Sequence, residues 1–177
     1  MLIKLINKIR FKFMSDKQYA KYIGVEFGEN CHISTRRFSS EPYLIKIGNN
    51  VRIAKDVCFF THGGLIPFRT KGSDLDIFGK ITIGNNVHVG QGAYIMAGVA
   101  VGDNCIIGAG SVVSKSIPSG CVVGGNPAKV ISKTDEFLER ARAADFNTKR
   151  LSPEEKKKYL LENIDDPRFI VKKMMKI

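Results

Sequence analysis

Tryptophan is absent from this 177-residue chain, and acid is scarce: 17 Asp and Glu stand against 28 Lys and Arg, a net charge of +11. No apolar run approaches the ~20 residues of a membrane-spanning helix. The basic, apolar stretch from Met1 to Met14 lacks a clean apolar centre and a small-residue cleavage site, which argues against a secretory signal. The four cysteines, Cys31, Cys58, Cys105 and Cys121, are far apart and form no metal-ligand pair, so they read as reduced residues of a cytoplasmic protein, with Cys31 and Cys105 in the core. Residues 1–23 carry six cations against one acid, and residues 132–177 carry twelve against nine, so the excess charge sits on the two ends. No nucleic-acid motif accompanies that charge, and nucleic acid is not an expected partner. Anionic cofactors, sugar nucleotides and a lipid surface suit a basic surface equally well.

What the chain has in abundance is a period of six. From Ile83 the aliphatics run Ile83, Val89, Ile95, Val101, Ile107, Val113, and small or branched residues follow four places later: Val87, Ala93, Val99, Cys105, Ser111, Ile117. An earlier run, Ile47, Ile53 and Phe59, has Val51 and Val57 at the same offset. Six suits neither the 3.6 of a helix nor the 2.0 of a two-faced strand. It suits triangular coils with one short strand and one corner per hexapeptide, three hexapeptides to a coil, each coil pairing with its neighbours about 4.8 Å away. An ordinary β-sandwich would alternate with period two instead.

The corners repeat as well. Gly28-Glu29-Asn30, Gly48-Asn49-Asn50, Gly84-Asn85-Asn86 and Gly102-Asp103-Asn104 each follow an inward residue. Ile47 and Ile83 are 36 residues apart and Ile83 and Val101 are 18 apart, which is two coils and one. Gly and Asn tolerate the left-handed backbone that a tight corner needs. The expected organisation is a lead-in over residues 1–26, a repeat body over 27–131 and a helical extension over 132–177.

Three departures stand out. Leu2, Ile6, Ile9 and Phe13 share one helical face, predicting an amphipathic helix that packs on the body or a neighbouring subunit, or lies on a membrane surface. The first coil is irregular, because 20 residues rather than 18 separate Phe27 from Ile47. Residues 63–76 break the hexapeptide rule, as a degenerate coil or as a loop leaving the body, and irregular segments on rigid scaffolds tend to carry function. After Ile131 three helices are expected, starting at Ser132 as a cap, at Ser152-Pro153-Glu154-Glu155, and at Asp166-Pro167. Their expected role is to cover the open end of the stack.

Phe59-Phe60-Thr61-His62, Gly79-Lys80-Ile81-Thr82-Ile83-Gly84-Asn85-Asn86-Val87, Ile107-Gly108-Ala109-Gly110-Ser111-Val112-Val113 and Gly125-Asn126-Pro127-Ala128-Lys129-Val130-Ile131 together resemble the hexapeptide-repeat acyltransferases, most closely the branch that O-acetylates capsular and lipopolysaccharide sugars. The resemblance covers most of Phe27 to Ile131. It implies a mainly β, left-handed parallel β-helix, whereas ordinary parallel crossovers are right-handed. It also implies a cytoplasmic homotrimer with acetyl-CoA and the acceptor meeting between adjacent prisms, and no metal.

The resemblance makes His62 the general base that takes the acceptor's hydroxyl proton. Relatives often have Asp directly after this histidine, where this chain has Gly63; Asp74, Asp76, Glu41 or a backbone carbonyl remain to orient the ring. His88 stands where many relatives carry an aromatic that walls the groove, so it is a candidate acceptor contact, as are Asp74 and Asp76, or else it fills an outward corner. His32 reads as structural. For the cofactor, the resemblance points to backbone groups at Gln91 and Ala109, to Ser114 and Lys115 at the adenosine end, and to Lys129 for a phosphate.

The leading expectation is acetyl-CoA-dependent O-acetylation of a surface-polysaccharide sugar or its precursor. Its rivals are N-acetylation of a nucleotide-linked amino sugar, a β-helix metalloenzyme needing three converging imidazoles, and a non-catalytic binding module. A sugar or nucleotide-sugar acceptor and peripheral contact with the inner membrane surface complete the expectation.

Overall fold

The six-residue period becomes a rotation among three sheets. The computed structural model describes residues 13–174. Its strands are β1 (Glu26–Phe27), β2 (His32–Ile33), β3 (Ile45–Ile47), β4 (Arg52–Ile53), β5 (Cys58–Phe59), β6 (Ile81–Ile83), β7 (His88–Val89), β8 (Tyr94–Ile95), β9 (Ala100–Val101), β10 (Ile106–Ile107), β11 (Val112–Val113), β12 (Cys121–Gly124) and β13 (Lys129–Lys133). The first sheet orders β1-β3-β6-β9, the second β2-β4-β7-β10-β12-β13, and the third β5-β8-β11. The chain therefore visits the three sheets in turn: β3, β4, β5; then β6, β7, β8; then β9, β10, β11. Every pairing is parallel except that of β12 with β13.

Parallel register stacks each inward aliphatic on its counterpart one coil away. Phe27, Ile47, Ile83 and Val101 form one column. Ile33, Ile53, Val89, Ile107 and Val123 form the second. Phe59, Ile95 and Val113 form the third. All but the half-buried Phe27 are buried, and Ile53, Val89, Ile95 and Ile107 are fully so. Each such side chain contributes roughly 1.5–3 kcal/mol of hydrophobic stabilisation. The residues four places later fill the corners behind these columns: Val51, Val57, Val87, Ala93, Val99 and Cys105 are buried, and so is Ser111, whose hydroxyl donates to the Gly108 carbonyl at 2.7 Å. All four cysteines are buried and unpaired.

The Gly-x-Asn corners stack for a stated steric reason. Asn30, Asn50, Asn86 and Asn104 sit at φ 53, 54, 55 and 56°. Their amides then ladder up one edge, Asn50 Nδ2 donating to Asn86 Oδ1 at 2.8 Å and Asn86 Nδ2 to Asn104 Oδ1 at 3.0 Å. The glycine ahead of them allows the coils to close up, since a Cβ on Gly48 would lie 2.7 Å from the Gly84 carbonyl oxygen.

The two extra residues of the first coil are absorbed after β2. Arg37 bridges to Cys58, and a 3₁₀ turn at Pro42–Leu44 returns the chain to β3. A short helix, α1 (Asp16–Tyr22), precedes β1 and carries a capping box from Ser15 and Gln18. The amphipathic helix expected over Leu2, Ile6, Ile9 and Phe13 lies outside the described residues except at Phe13, which is exposed.

The end of the repeat differs from expectation. Ser132 does not cap a helix; it lies within β13, which folds back antiparallel on β12 and covers the open edge of the second sheet. The edge protection expected of helices is supplied there by a strand. Thr134 is buried, its hydroxyl donating to the Asn104 carbonyl at 2.7 Å.

Residues 135–177 form a second compact unit. Two helices carry it, α2 (Thr134–Ala143) and α3 (Pro153–Glu162), the latter started by a Ser152–Glu155 capping box as its sequence predicts. The third expected helix is not formed among the described residues. Asp166 instead accepts from the Arg168 backbone N–H and guanidinium, which closes a turn and holds the carboxyl down at about 2. The same guanidinium lies 4.4 Å from the Phe146 ring centroid, and Phe146 packs on Phe169. No described helix is long and apolar enough to cross a membrane.

Candidate active site

After β5 the chain turns the edge between the third and first sheets, and there it leaves the coil. Thr61 is fully buried, while the His62 side chain is 42% exposed. Residues 63–78 form an excursion rather than a degenerate coil. Its feet are tied together by the His62–Phe78 bridge, by Gly79 N donating to Thr61 O at 2.8 Å, and by Gly63 N donating to Ile77 O at 3.2 Å. The excursion holds a 3₁₀ turn at Ile66–Phe68 and an Arg69–Asp76 ion pair at 3.2 Å.

The inserted turn of the first coil delivers the partner. Glu41 Oε2 lies 2.8 Å from His62 Nδ1 and accepts from the Thr61 hydroxyl at 2.7 Å. Those two hydrogen bonds, Thr61 first and His62 second, hold the Glu41 carboxyl at about 2, far below its usual range. An ionised carboxylate can only accept, so Nδ1 carries a proton, and in the neutral ring the lone pair is then on Nε2. Ser39 Oγ at 3.1 Å adds a further contact on the Nδ1 side. Of the groups the sequence left open for orienting His62, the structure selects Glu41. Gly63 has a local reason to lack a side chain, because a Cβ there would lie 2.8 Å from two carbons of Ile77.

Glu41, His62 and Gly63 line a cavity of about 200 Å³ that also includes Ser40, Arg69, Asp76 and Phe78. Asp76 thus joins His62, but through its ion pair with Arg69. Asp74 is exposed on the excursion and does not line the cavity. Thr61, Ser39, Arg69 and Phe78 are site residues that sequence reasoning did not single out. The two-residue insertion pointed to Ser39, Thr61 stands directly before His62, Arg69 lies in the irregular segment 63–76, and nothing in the sequence pointed to Phe78.

The remaining candidates lie elsewhere on the coil. Ser114 and Lys115 are exposed on the same edge as His62, two coils further along. Gln91 and Ala109 occupy the opposite edge of the third sheet, at its junction with the second, where Gly110 N donates to Gln91 O at 2.8 Å. Gly90 permits that spacing, since a Cβ on it would meet Ala109 N at 2.5 Å. Lys129 is exposed and pairs in register with Gly124 in the terminal hairpin. His88 faces outward on the second sheet between Arg52 and Ile106; partial burial, then the Arg52 charge, lowers its pKa and favours the neutral ring. His32 is next but one in the same row, held by Ser34 at 3.0 Å. One chain therefore assembles the His62 dyad and its cavity, and does not bring His88, Gln91 or Ala109 to it.

The family described as bacterial transferase hexapeptide (six repeats) matches residues 80–115. CapG of Staphylococcus aureus is 41% identical over 170 residues, which is 94% of this chain and 98% of that protein. This chain belongs to the bacterial hexapeptide-repeat transferase family. As a member it is an acyltransferase. The galactoside O-acetyltransferase of Escherichia coli K12 is 35% identical over 116 residues, 62% of this chain and 57% of that enzyme, so the chain spans little more than half of that relative. A solved galactoside acetyltransferase in complex with coenzyme A superposes with a TM-score of 0.54 at 28% identity, covering 68% of this chain and 70% of that one.

Proposed function

We propose that this protein is an acetyl-CoA-dependent O-acetyltransferase acting on a sugar of a surface polysaccharide or its precursor. The observation that carries this reading is the Glu41–His62 pair. A hydroxyl is a poor nucleophile until its proton is removed, so transfer to oxygen needs a positioned base. Nε2 of His62 takes the sugar hydroxyl proton as that oxygen bonds to the acetyl carbon. The carbon–sulfur bond then breaks, and the imidazolium returns the proton to the departing thiolate. Glu41 stabilises the transient imidazolium, and no acyl-enzyme is needed. The E. coli relative named for galactoside O-acetylation and the solved galactoside acetyltransferase that holds coenzyme A support the acceptor class and the donor.

The same reading assigns donor contacts to Gln91, Ala109, Ser114, Lys115 and Lys129, and acceptor contacts to His88 and Asp76. Because those groups are distributed over two edges and one face of the coil, a homotrimer in which neighbouring copies appose their edges completes the site. It further takes the coil to be left-handed, the protein to be cytoplasmic, and the amino-terminal segment to provide any membrane contact.

The test incubates the protein with acetyl-CoA and a panel of glycosides, amino sugars and sugar nucleotides, reading thiol release and product mass. The reading predicts an acetylated sugar whose acetyl group is removed by mild alkali, as an ester is. An alkali-stable amide on an amino sugar would replace O-transfer by N-transfer, and no thiol release with any acceptor would overturn both.

A further inference from the structure

The Ser39-Ser40-Glu41-Pro42-Tyr43 segment has two sides. On one side Ser40 and Glu41 line the His62 cavity. On the other, Ser39, Ser40, Pro42 and Tyr43 line a second hollow of about 400 Å³ together with Tyr19 and Phe38. The two hollows share Ser40, and the 3₁₀ turn that begins after Glu41 is what sends the glutamate one way and Tyr43 the other. Phe38 is braced from behind by Phe59, the rings stacked at 5.3 Å and 12°, so one wall of the second hollow is anchored to the core. Tyr43 is 66% exposed.

We propose that this second hollow is a glycosyl subsite that holds the sugar adjacent to the one acetylated. The proposal rests on the reading that the protein acetylates a sugar hydroxyl, and it narrows the acceptor to a glycan of at least two residues. Aromatic rings offer flat apolar faces to the C–H face of a pyranose, while the serine hydroxyls offer donors and acceptors to its rim. Every described side chain lining the hollow is uncharged. Arg36 is engaged with Asp16 at 2.7 Å and with the Tyr19 ring, and is not among the residues lining it. A sugar nucleotide fits this layout poorly. Its diphosphate follows the sugar directly and would have to pass the ionised Glu41 carboxylate with no cation among the described residues lining the hollow to receive it. A neutral glycosidic linkage crosses the same wall without charge repulsion.

The experiment measures kcat/KM for acetyl transfer with matched methyl monosaccharides and disaccharides of glucose, galactose, mannose, N-acetylglucosamine and N-acetylgalactosamine, alongside UDP-linked forms of the same sugars. The variants are Tyr43→Ala and Tyr43→Phe, whose melting temperatures check that the exposed position tolerates them. We expect at least one disaccharide to exceed its monosaccharide about tenfold, an advantage that Y43A removes and Y43F keeps, with the monosaccharide rate unchanged in both. Equal rates for one and two sugars, a preference for the UDP-linked form, or a Y43A loss shared equally by monosaccharides would overturn the subsite while leaving O-acetylation intact. Absence of transfer to every sugar would overturn O-acetylation itself, and the subsite with it.

Discussion

Replacing Glu41 by Gln tests the dyad with almost no change of shape. In the wild type, one carboxylate oxygen accepts from both His62 Nδ1 and Thr61 Oγ1, at 2.8 and 2.7 Å. A glutamine keeps an acceptor oxygen but loses the charge, and when its amide turns round it donates to Nδ1 instead. That reversal places the ring proton on Nε2, the atom that must be bare to act as a base. In a fully buried carboxylate–histidine pair the corresponding change lowers kcat by about 10⁴. Here the Glu41 side chain is 16% exposed and His62 42% exposed, so solvent screens part of the charge and both tautomers remain accessible. We therefore expect kcat to fall about 10- to 100-fold, the range seen when a metal-ligating histidine loses its orienting partner, with KM for acetyl-CoA nearly unchanged. Because Glu41 ionises at about 2, its charge is constant across any neutral assay, and titration of Glu41 itself adds no pH dependence to the deficit. Thiol-release kinetics with whichever glycoside of the panel proves to be an acceptor provide the measurement. A variant within about twofold of wild-type kcat would show that Glu41 does not hold the base.

The same variant tests acid stability. The Glu41 carboxyl falls from 4.5 to about 2 on folding, so its contribution is fully present above 4.5 and is lost as pH drops towards 2. The difference in thermal midpoint between wild type and E41Q should therefore be largest near neutrality and shrink through that window; a difference that persists unchanged at pH 2 would contradict the assignment. The coil itself is tested by a pair of glycines. Gly90→Ala puts a methyl 2.5 Å from Ala109 N and 2.7 Å from Ile107 O, atoms fixed in the ladder, and should cost about 3 kcal/mol in urea unfolding. Gly92→Ala has open space but a φ of 68°, and should cost about 1–2 kcal/mol. Equal losses at the two positions would mean that the coils are not packed as closely as described.

The body of the fold was legible because stacking in register demands the same side chain at the same place in each coil. Ile83, Val89 and Ile95 announce the first, second and third columns in order, and each Asn corner announces a left-handed residue. The site was only half legible. His62 was visible where the period broke, but its partner lies 21 residues earlier, and only the path of the inserted turn decides between Glu41 and the nearer Asp74 and Asp76. Asp76 is occupied by Arg69, a contact inside an irregular excursion that carries no period. Ser132 misled because a cap residue also suits an edge strand, and pairing with β12 won over local propensity. At Asp166-Pro167 the start signal was sound, but Arg168 satisfies Asp166 within the turn, and no described helix grows from it. His88, Gln91 and Ala109 were placed by resemblance to a site that one chain does not close.

The central claim is that His62 is the base for acetyl transfer, and the kcat of His62→Ala with a sugar hydroxyl acceptor tests it most directly. The account predicts a loss of about 10²- to 10⁴-fold with acetyl-CoA binding retained. A variant that keeps more than about a third of the wild-type rate would contradict it.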